Sequence, residues 1–143
     1  MKIRQLSVFV ENKPGRLRAP CETLAKAGIN IITLSLADTH LYGILRMIVP
    51  DWQQAKEALE RAGFVVNVAE VLAIEVPDHP SGLADVLRVI EQAGINVEYM
   101  YAFSERRNDK AMLVFRFQNA DVAVAALTGC DLKLVSNLEL FAH

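Results

Sequence analysis

Two segments of this chain occur twice at a constant spacing, and this duplication is the strongest constraint on its fold. Lys13–Leu17 (KPGRL) and Ala27–Ile31 (AGINI) return 66 residues later as His79–Leu83 (HPSGL) and Ala93–Val97 (AGINV). A period of this length exceeds any helical or strand repeat and corresponds to a complete folding unit. The chain is therefore expected to contain two copies of one small unit.

The hydrophobic pattern predicts the same order of elements in each copy. Alternating apolar residues indicate strands, and apolar residues three or four apart indicate helices. In residues 1–70 the predicted strands are Leu6–Val10, Ile31–Leu36, Ile44–Val49 and Phe64–Val68, with helices that begin near Leu17 and Trp52. In residues 71–143 the predicted strands are Leu72–Val76, Val97–Phe103, Ala111–Phe117 and a last strand from Asp131, with helices over Gly82–Ala93 and Ala120–Leu127. The order predicts an α+β fold of two ferredoxin-like βαββαβ units, each with an antiparallel sheet and both helices on one face.

The connection between the two copies is very short. Val68 ends one predicted strand and Val71 begins the next, so about two residues, which span roughly 7 Å, join them. Units placed side by side through their second strands would need about six strand spacings, roughly 29 Å, across the same connection. We therefore predict one nearly continuous strand over Phe64–Val76 and a long antiparallel partner over Asp131–Phe141. The residues that continue the register of the first strand into this partner are Leu138, Leu140 and Ala142.

The composition limits the compartment and the partners. The chain has 15 Lys and Arg against 17 Asp and Glu, and its formal net charge of −2 gives no general attraction to nucleic acid or to an anionic membrane. The sequence has no apolar run near the roughly 20 residues of a membrane span, and its first residues lack the apolar stretch of a signal peptide. A cytoplasmic protein is expected, in which Cys21 and Cys130 are reduced thiols.

Three classes of function can be compared from the residues. An enzyme needs a nucleophile with its base, a carboxylate pair or a metal cluster, and the three scattered histidines and two separate cysteines form none of these. We therefore predict no catalytic residue, no metal and no cofactor. An RNA-binding sheet would carry aromatic residues on its central strands, whereas Ile44–Val49 has none. A protein–protein interaction or structural module with no small-molecule ligand stays open as the alternative to a ligand-binding module.

The segments around the first helix of each copy resemble a known family. In both copies a strand ends in a polar segment with Pro-Gly or Pro-x-Gly, and Ala-Gly-Ile-Asn opens the next strand. In this sequence the segments are Glu11–Leu17 with Ala27–Asn30, and Pro77–Leu83 with Ala93–Asn96. This pattern is similar to the ACT domain over nearly the whole chain. The resemblance implies an amino-acid-binding regulatory module, and more closely a small bacterial protein that consists of two ACT units.

A ligand is expected at the loop that precedes the first helix of each copy. The first turn of a helix presents unpaired N–H groups and a partial positive charge, and a glycine lets a ligand approach the backbone, so a carboxylate fits there. The oxygens of Asn12, Asp78, Asn30 and Asn96 are candidate acceptors for an ammonium group. The candidate ligand-binding residues are Asn12, Lys13, Pro14, Gly15, Arg16, Leu17, Asn30 and Ile31 in the first copy, and Asp78, His79, Pro80, Ser81, Gly82, Leu83, Asn96 and Val97 in the second.

A purely structural interpretation of the same residues also stays open. Pro14 and Gly15 could have no role beyond starting a helix, and Asn12 or Asp78 could be helix caps. The two loops differ as well, since the positively charged Lys13 of the first loop is replaced in the second. Two equal sites are therefore not expected.

The predicted topology leaves the second strand of each copy at the edge of its sheet. These strands are Ile31–Ala37 and Val97–Phe103, and long apolar edges favour pairing with another chain. We predict a homodimer closed by one or both edges, with Asn30 and Asn96 near the interface. The expected partners are a free amino acid, a second copy of the chain, and an enzyme or other protein that the module regulates.

Overall fold

The computed structural model divides into two compact units. It describes residues 2–38, 41–104, 110–136 and 141. One unit is Arg4–Ala69, which we call the amino-terminal unit. The other, the carboxy-terminal unit, is Glu70–His143 together with Met1–Ile3.

The elements follow the predicted order. The amino-terminal unit contains β1 (Ile3–Glu11), α1 (Arg18–Lys26), β2 (Thr33–Asp38), β3 (Tyr42–Ile48), α2 (Trp52–Arg61) and the start of β4 (Val66–Pro77). The rest of β4 is followed by α3 (Gly82–Gln92), β5 (Val97–Ala102), β6 (Lys110–Phe117), α4 (Ala120–Leu127) and β7 (Leu134–Val135). The α+β class with two βαββαβ units is confirmed. Within the described residues no helix is long and apolar enough to cross a membrane.

The sheet of the amino-terminal unit has the order β2-β3-β1-β4. Strand β3 pairs antiparallel with β1 on one side and with β2 on the other, so Leu45 lies opposite both Val8 and Leu36. Because β1 and β2 are each antiparallel to β3, they run in the same direction and end at the same edge of the sheet. The loop after β1 and the end of β2 are therefore neighbours.

The core of the amino-terminal unit lies between this sheet and its two helices. Leu6, Val8 and Val10 alternate along β1 and point to the same side, where Leu24 of α1 and Leu59 of α2 pack on them. All five side chains are buried, and each contributes roughly 1.5–3 kcal/mol relative to an exposed position. Both helices cover one face, as the sequence predicts.

The carboxy-terminal unit repeats this arrangement. Strand β6 pairs antiparallel with β4 and with β5, and β7 pairs with the other side of β4. Leu72, Ile74 and Val76 of β4 face a core that includes Val86 and Ile90 of α3. The end of β5 and the loop after β4 therefore lie at the same edge, as in the amino-terminal unit.

Strand β4 is continuous through the junction of the two copies. It runs from Val66 to Pro77 and includes Ala69 and Glu70, between which the two units divide. Its predicted start at Phe64 is two residues early, because the chain leaves α2 through a turn in which Gly63 has a φ of +93°. The prediction of one strand at the junction is confirmed.

The predicted long strand over Asp131–Phe141 is wrong. Strand β7 contains only Leu134 and Val135, and Phe141 has helical backbone conformation. The chain leaves α4 through a turn at Gly129, whose φ is +89°, and reaches the edge of β4 only where Glu75 N donates to Lys133 O at 3.0 Å. The register positions Leu138, Leu140 and Ala142 lie outside the described residues.

Lys2 ties the start of the chain to the carboxy-terminal unit. Its Nζ lies 2.8 Å from Asp121 Oδ1 of α4 and 3.0 Å from Glu70 Oε2 of β4. The hydrogen bond to Asp121 and then that to Glu70 raise the pKa of Lys2 above its ordinary value. The ammonium group therefore stays charged throughout the physiological range.

Candidate functional site

A cleft lies where β1 leads into α1. It has a volume of about 390 Å³ and is lined by the loop between these elements, by Leu36 of β2 and by Gly43 of β3. Five of the loop residues proposed from the sequence line it: Asn12, Lys13, Pro14, Gly15 and Leu17. Arg16 belongs to the same loop. The cleft thus joins a polar loop to an apolar part of the sheet.

Backbone hydrogen bonds hold the loop in a fixed shape. Asn12 N donates to Leu41 O at 3.0 Å, and Arg16 N donates to Lys13 O at 3.2 Å. Gly15 has a φ of +84°, a conformation that a residue with a side chain rarely adopts. A Cβ atom at Gly15 would meet no other described atom within 4 Å, so its backbone is open to an incoming ligand.

The helix after this loop begins without a side-chain cap. The residue before α1 is Leu17, and none of the described side chains accepts a hydrogen bond in the way that Asp51 caps α2 or Asn119 caps α4, each at 3.1 Å. The interpretation of Asn12 as a helix cap is therefore wrong. The partial positive charge at the start of α1 remains available to an anion.

Basic side chains surround this helix start. The first turn of α1 carries Arg18 and contains no acidic residue, and Arg16 and Lys13 precede it. Lys13 Nζ lies 3.2 Å from Glu11 Oε2, but both side chains are exposed, so this ion pair is weak and can rearrange around a ligand. The local charge favours a carboxylate.

The other wall of the cleft is apolar. Leu17, just before α1, is 41% exposed, and Leu36 is 49% exposed although it lies opposite the buried Leu45 on the core side of the sheet. Gly43 forms the floor: a Cβ atom there would lie 3.1 Å from Leu36 Cδ1 and 3.4 Å from Val10 Cγ2. The cleft can therefore hold a molecule that is anionic at one end and apolar at the other.

Asn30 and Ile31 lie away from this cleft within the same unit. They precede β2, whereas the cleft is at the end of β1, and the parallel direction of β1 and β2 puts those two points at opposite ends of the sheet. Asn30 is exposed, and Ile31 packs against the core. One unit alone does not bring all the candidate residues together.

The corresponding loop of the carboxy-terminal unit keeps the backbone hydrogen bonds of the first loop, in which Lys13 N donates to Glu11 O at 2.9 Å and Arg16 N donates to Lys13 O at 3.2 Å. His79 N donates to Pro77 O at 3.0 Å, Gly82 N donates to His79 O at 2.9 Å, and Ser81 Oγ is hydrogen-bonded to His79 Nδ1 at 3.1 Å. A Cβ atom at Gly82 would overlap the carbonyl oxygen of Pro77. The residue before α3 is Ser81, so Asp78 is not its cap either.

The remaining candidates of the second copy are dispersed. Gly82 lines a cleft of about 480 Å³ with Lys110 and Asp131, on the side of the loop next to β7. Asn96 lines another, of about 490 Å³, with Gln118 at the opposite end of the unit. Of the other candidates, Asp78, His79, Pro80 and Ser81 are exposed, and Leu83 and Val97 pack against the core.

Four residues that line the amino-terminal cleft were not among the sequence candidates: Val10, Glu11, Leu36 and Gly43. Their place follows from the register, since Gly43 pairs with Val10 next to the loop. The sequence signal that could have found Gly43 is a glycine within a predicted strand region, where glycine is uncommon. Elsewhere in the described part of the chain, no group of three or more His, Cys, Asp and Glu could hold a metal ion, and both cysteines are free thiols.

Comparison with known proteins identifies the family. A family model described as an ACT domain pair matches residues 1–142. The crystal structure of protein BT0572 from Bacteroides thetaiotaomicron is 38% identical to this chain, with a TM-score of 0.91, and the match covers 100% of this chain and 98% of that one. The chain belongs to the ACT domain pair family.

More distant structures share the fold. The regulatory subunit of aspartate kinase from Thermus thermophilus, in its ligand-free form, has a TM-score of 0.64 at 17% identity and covers 88% of this chain and 91% of its own. The same subunit from Thermus flavus has a TM-score of 0.61 at 17% identity, with coverages of 88% and 90%. A search of curated proteins finds no match.

We predict that Gly82→Ala destabilises the chain by about 1–3 kcal/mol, because the added methyl group must displace the Pro77 carbonyl. Ser81→Ala is the matched control: Ser81 is exposed and does not cap α3, so its loss should change the free energy of unfolding by less than about 0.5 kcal/mol. Urea denaturation measures both. Equal effects of the two substitutions would contradict the close packing described for this loop.

Proposed function

We propose that this protein is a non-catalytic cytoplasmic regulator, with ACT units over residues 1–70 and 71–143, that binds a free amino acid. The observation that carries the proposal is the amino-terminal cleft, in which an uncapped helix start faces an apolar floor. An amino acid has the same division, with a charged backbone end and a variable side chain. Membership of the ACT domain pair family supports this assignment.

The carboxylate of the ligand would lie against the start of α1. Gly15 leaves the backbone open there, and Lys13 and Arg16 add positive charge. A hydrogen bond that involves a charged group contributes about 1.5–3 kcal/mol, more than a neutral one. The oxygen of Asn12, at the edge of the same cleft, is the acceptor available to the ammonium group.

A second copy of the chain would complete the site. Among the described strands, β2 has a neighbour only on the side of β3, and its exposed Leu34 and Leu36 leave an apolar edge. If two β2 edges pair antiparallel, the start of one strand meets the end of the other, which brings the partner's Asn30 to the cleft. Strand β5 is also an edge strand among the described strands, so it could pair with a second copy in the same way, with Asn96 near that interface.

Ligand binding at such an interface would produce a regulatory signal. A ligand shifts a conformational equilibrium only by its difference in affinity for the two states, and a ligand held between two subunits favours the arrangement that completes its site. An enzyme or another protein could respond to that arrangement. The shared fold with a regulatory subunit of aspartate kinase supports a role of this kind.

The proposal predicts that at least one free amino acid stabilises the protein. At 100 times its dissociation constant it should add about 2.7 kcal/mol to the free energy of unfolding, seen as a rise in melting temperature in a screen of the twenty amino acids. Asn12→Ala should weaken binding by about 1–3 kcal/mol, because an acceptor at the cleft is lost. Asn67→Ala removes an equally exposed asparagine on β4 and serves as the control.

Two outcomes would count against amino-acid binding. If calorimetry detects no amino acid with a dissociation constant below millimolar, the chain is instead an interaction module without a small-molecule ligand. If Asn12→Ala and Asn67→Ala weaken binding equally, the ligand does not use this cleft.

A homodimer is the second expectation. Sedimentation velocity should show a dimer at micromolar concentration, and Leu34→Lys should shift it towards monomer, because a charge on the paired edge opposes association. Val122→Lys places the same charge at an exposed apolar position on α4 and should leave the dimer intact. A wild-type monomer at that concentration would exclude the proposed edge pairing.

A further inference from the structure

We propose that each chain holds one effector, an amino acid with an aliphatic side chain in the amino-terminal cleft, and that the equivalent position of the carboxy-terminal unit is closed. This inference rests on the proposed function, because it names the ligand class and the number of sites. It comes from comparing the two copies position by position, since the same topology carries different residues at the cleft.

The strand registers define which residues correspond. Val10 pairs with Gly43 in the amino-terminal unit, and its repeat Val76 pairs with Ala111 in the carboxy-terminal unit. Leu36 pairs with Leu45, and Ala102 pairs with Leu113 in the same way. The second copy therefore has Ala111 at the position of Gly43 and Ala102 at the position of Leu36.

The floor of the amino-terminal cleft is tight at Gly43. A Cβ atom there would lie 3.1 Å from Leu36 Cδ1 and 3.4 Å from Val10 Cγ2, so an alanine would push the Leu36 side chain aside. In the carboxy-terminal unit the corresponding residues are Ala111 and Ala102. A ligand side chain would therefore meet the Leu36 wall in the first copy and only a methyl group in the second.

The leucine at the helix start also differs between the copies. Leu17 remains 41% exposed beside the cleft. Its repeat, Leu83, packs against the core of the carboxy-terminal unit. The apolar side chain that would contact a ligand in the first copy is thus used for internal packing in the second.

The second loop is tightly packed and carries less positive charge than the first. Gly82 lies so close to Pro77 O that a methyl group would not fit, and the exposed Ser81 is hydrogen-bonded to His79. His79 and Gly82 stand where the first loop has Lys13 and Arg16, and Asp85 in the first turn of α3 is paired with Arg88 at 3.1 Å. The second loop therefore offers a carboxylate less positive charge.

The shape and lining of the amino-terminal cleft favour an aliphatic side chain. Beyond the helix start, the walls are Leu17, Leu36 and Val10, and the charged groups Glu11 and Lys13 are exposed at the rim. A charged side chain directed to the floor would lose water without gaining a partner. An aliphatic side chain against these walls would bury apolar surface without leaving a polar group unpaired.

Isothermal titration calorimetry on the full chain tests this inference with leucine, isoleucine and valine against glutamate, lysine and glutamine. The best aliphatic ligand should bind at least tenfold more tightly than the other three, with one site per chain. Gly43→Ala, which copies the carboxy-terminal floor, should weaken that binding at least tenfold, and Leu36→Ala should weaken it without filling the floor. Ala111→Gly is the reciprocal control and should leave affinity and stoichiometry unchanged.

The outcomes separate this inference from the proposed function. Two sites per chain, a preference for a charged or polar amino acid, or unchanged affinity in Gly43→Ala would overturn it while amino-acid binding stands. No binding by any of the twenty amino acids would overturn both. Circular dichroism and melting temperature establish that each variant is folded before its titration is interpreted.

Discussion

The pairing of β3 between β1 and β2 is the constraint on which the rest of the site depends. It makes β1 and β2 run in the same direction, so their ends meet at one edge of the sheet and their starts at the other. The loop after β1 thereby gains Gly43 and Leu36 as a floor and wall. The same pairing separates the loop from Asn30, which is why a complete set of polar contacts is proposed to need a second copy.

Duplication has preserved the topology of the unit while the loops have diverged. Both copies keep antiparallel pairing around their third strand, and in both the helix after the loop begins without a side-chain cap. Small substitutions change what each loop can do: Ala102 stands where the first copy has the Leu36 wall, His79 and Gly82 stand where it has Lys13 and Arg16, and Leu83 packs against the core. A tandem protein of this family need not have tandem sites.

Much of the fold could be predicted because it depends on local pattern. The alternation of Leu6, Val8 and Val10 and the short connection at Ala69 correctly indicated the strands, including a single strand through the junction. The predicted length of β7 was wrong because alternating apolar residues do not show where the chain turns towards the neighbouring strand β4. Here the turn at Gly129 delays pairing until Lys133.

The candidate site was predictable only in part. The loop residues could be found because Pro-Gly followed by a helical pattern is a local signal. Gly43 and Leu36 could not be found in this way. Strand register places them beside the loop, and register depends on the pairing of the whole sheet. Asn12 looked like a helix cap because its residue type suits that role, but the helix starts later, at Arg18.

An NMR titration of the uniformly ¹⁵N-labelled chain with leucine would test the central claim most directly. If the amino-terminal cleft is the effector site, the amide signals of Gly15, Leu17 and Arg18 should shift in a saturable manner, together with Gly43. The signals of Gly82, Leu83 and Asp85 should remain in place. Saturable shifts confined to the second loop, or shifts of equal size in both, would contradict the account.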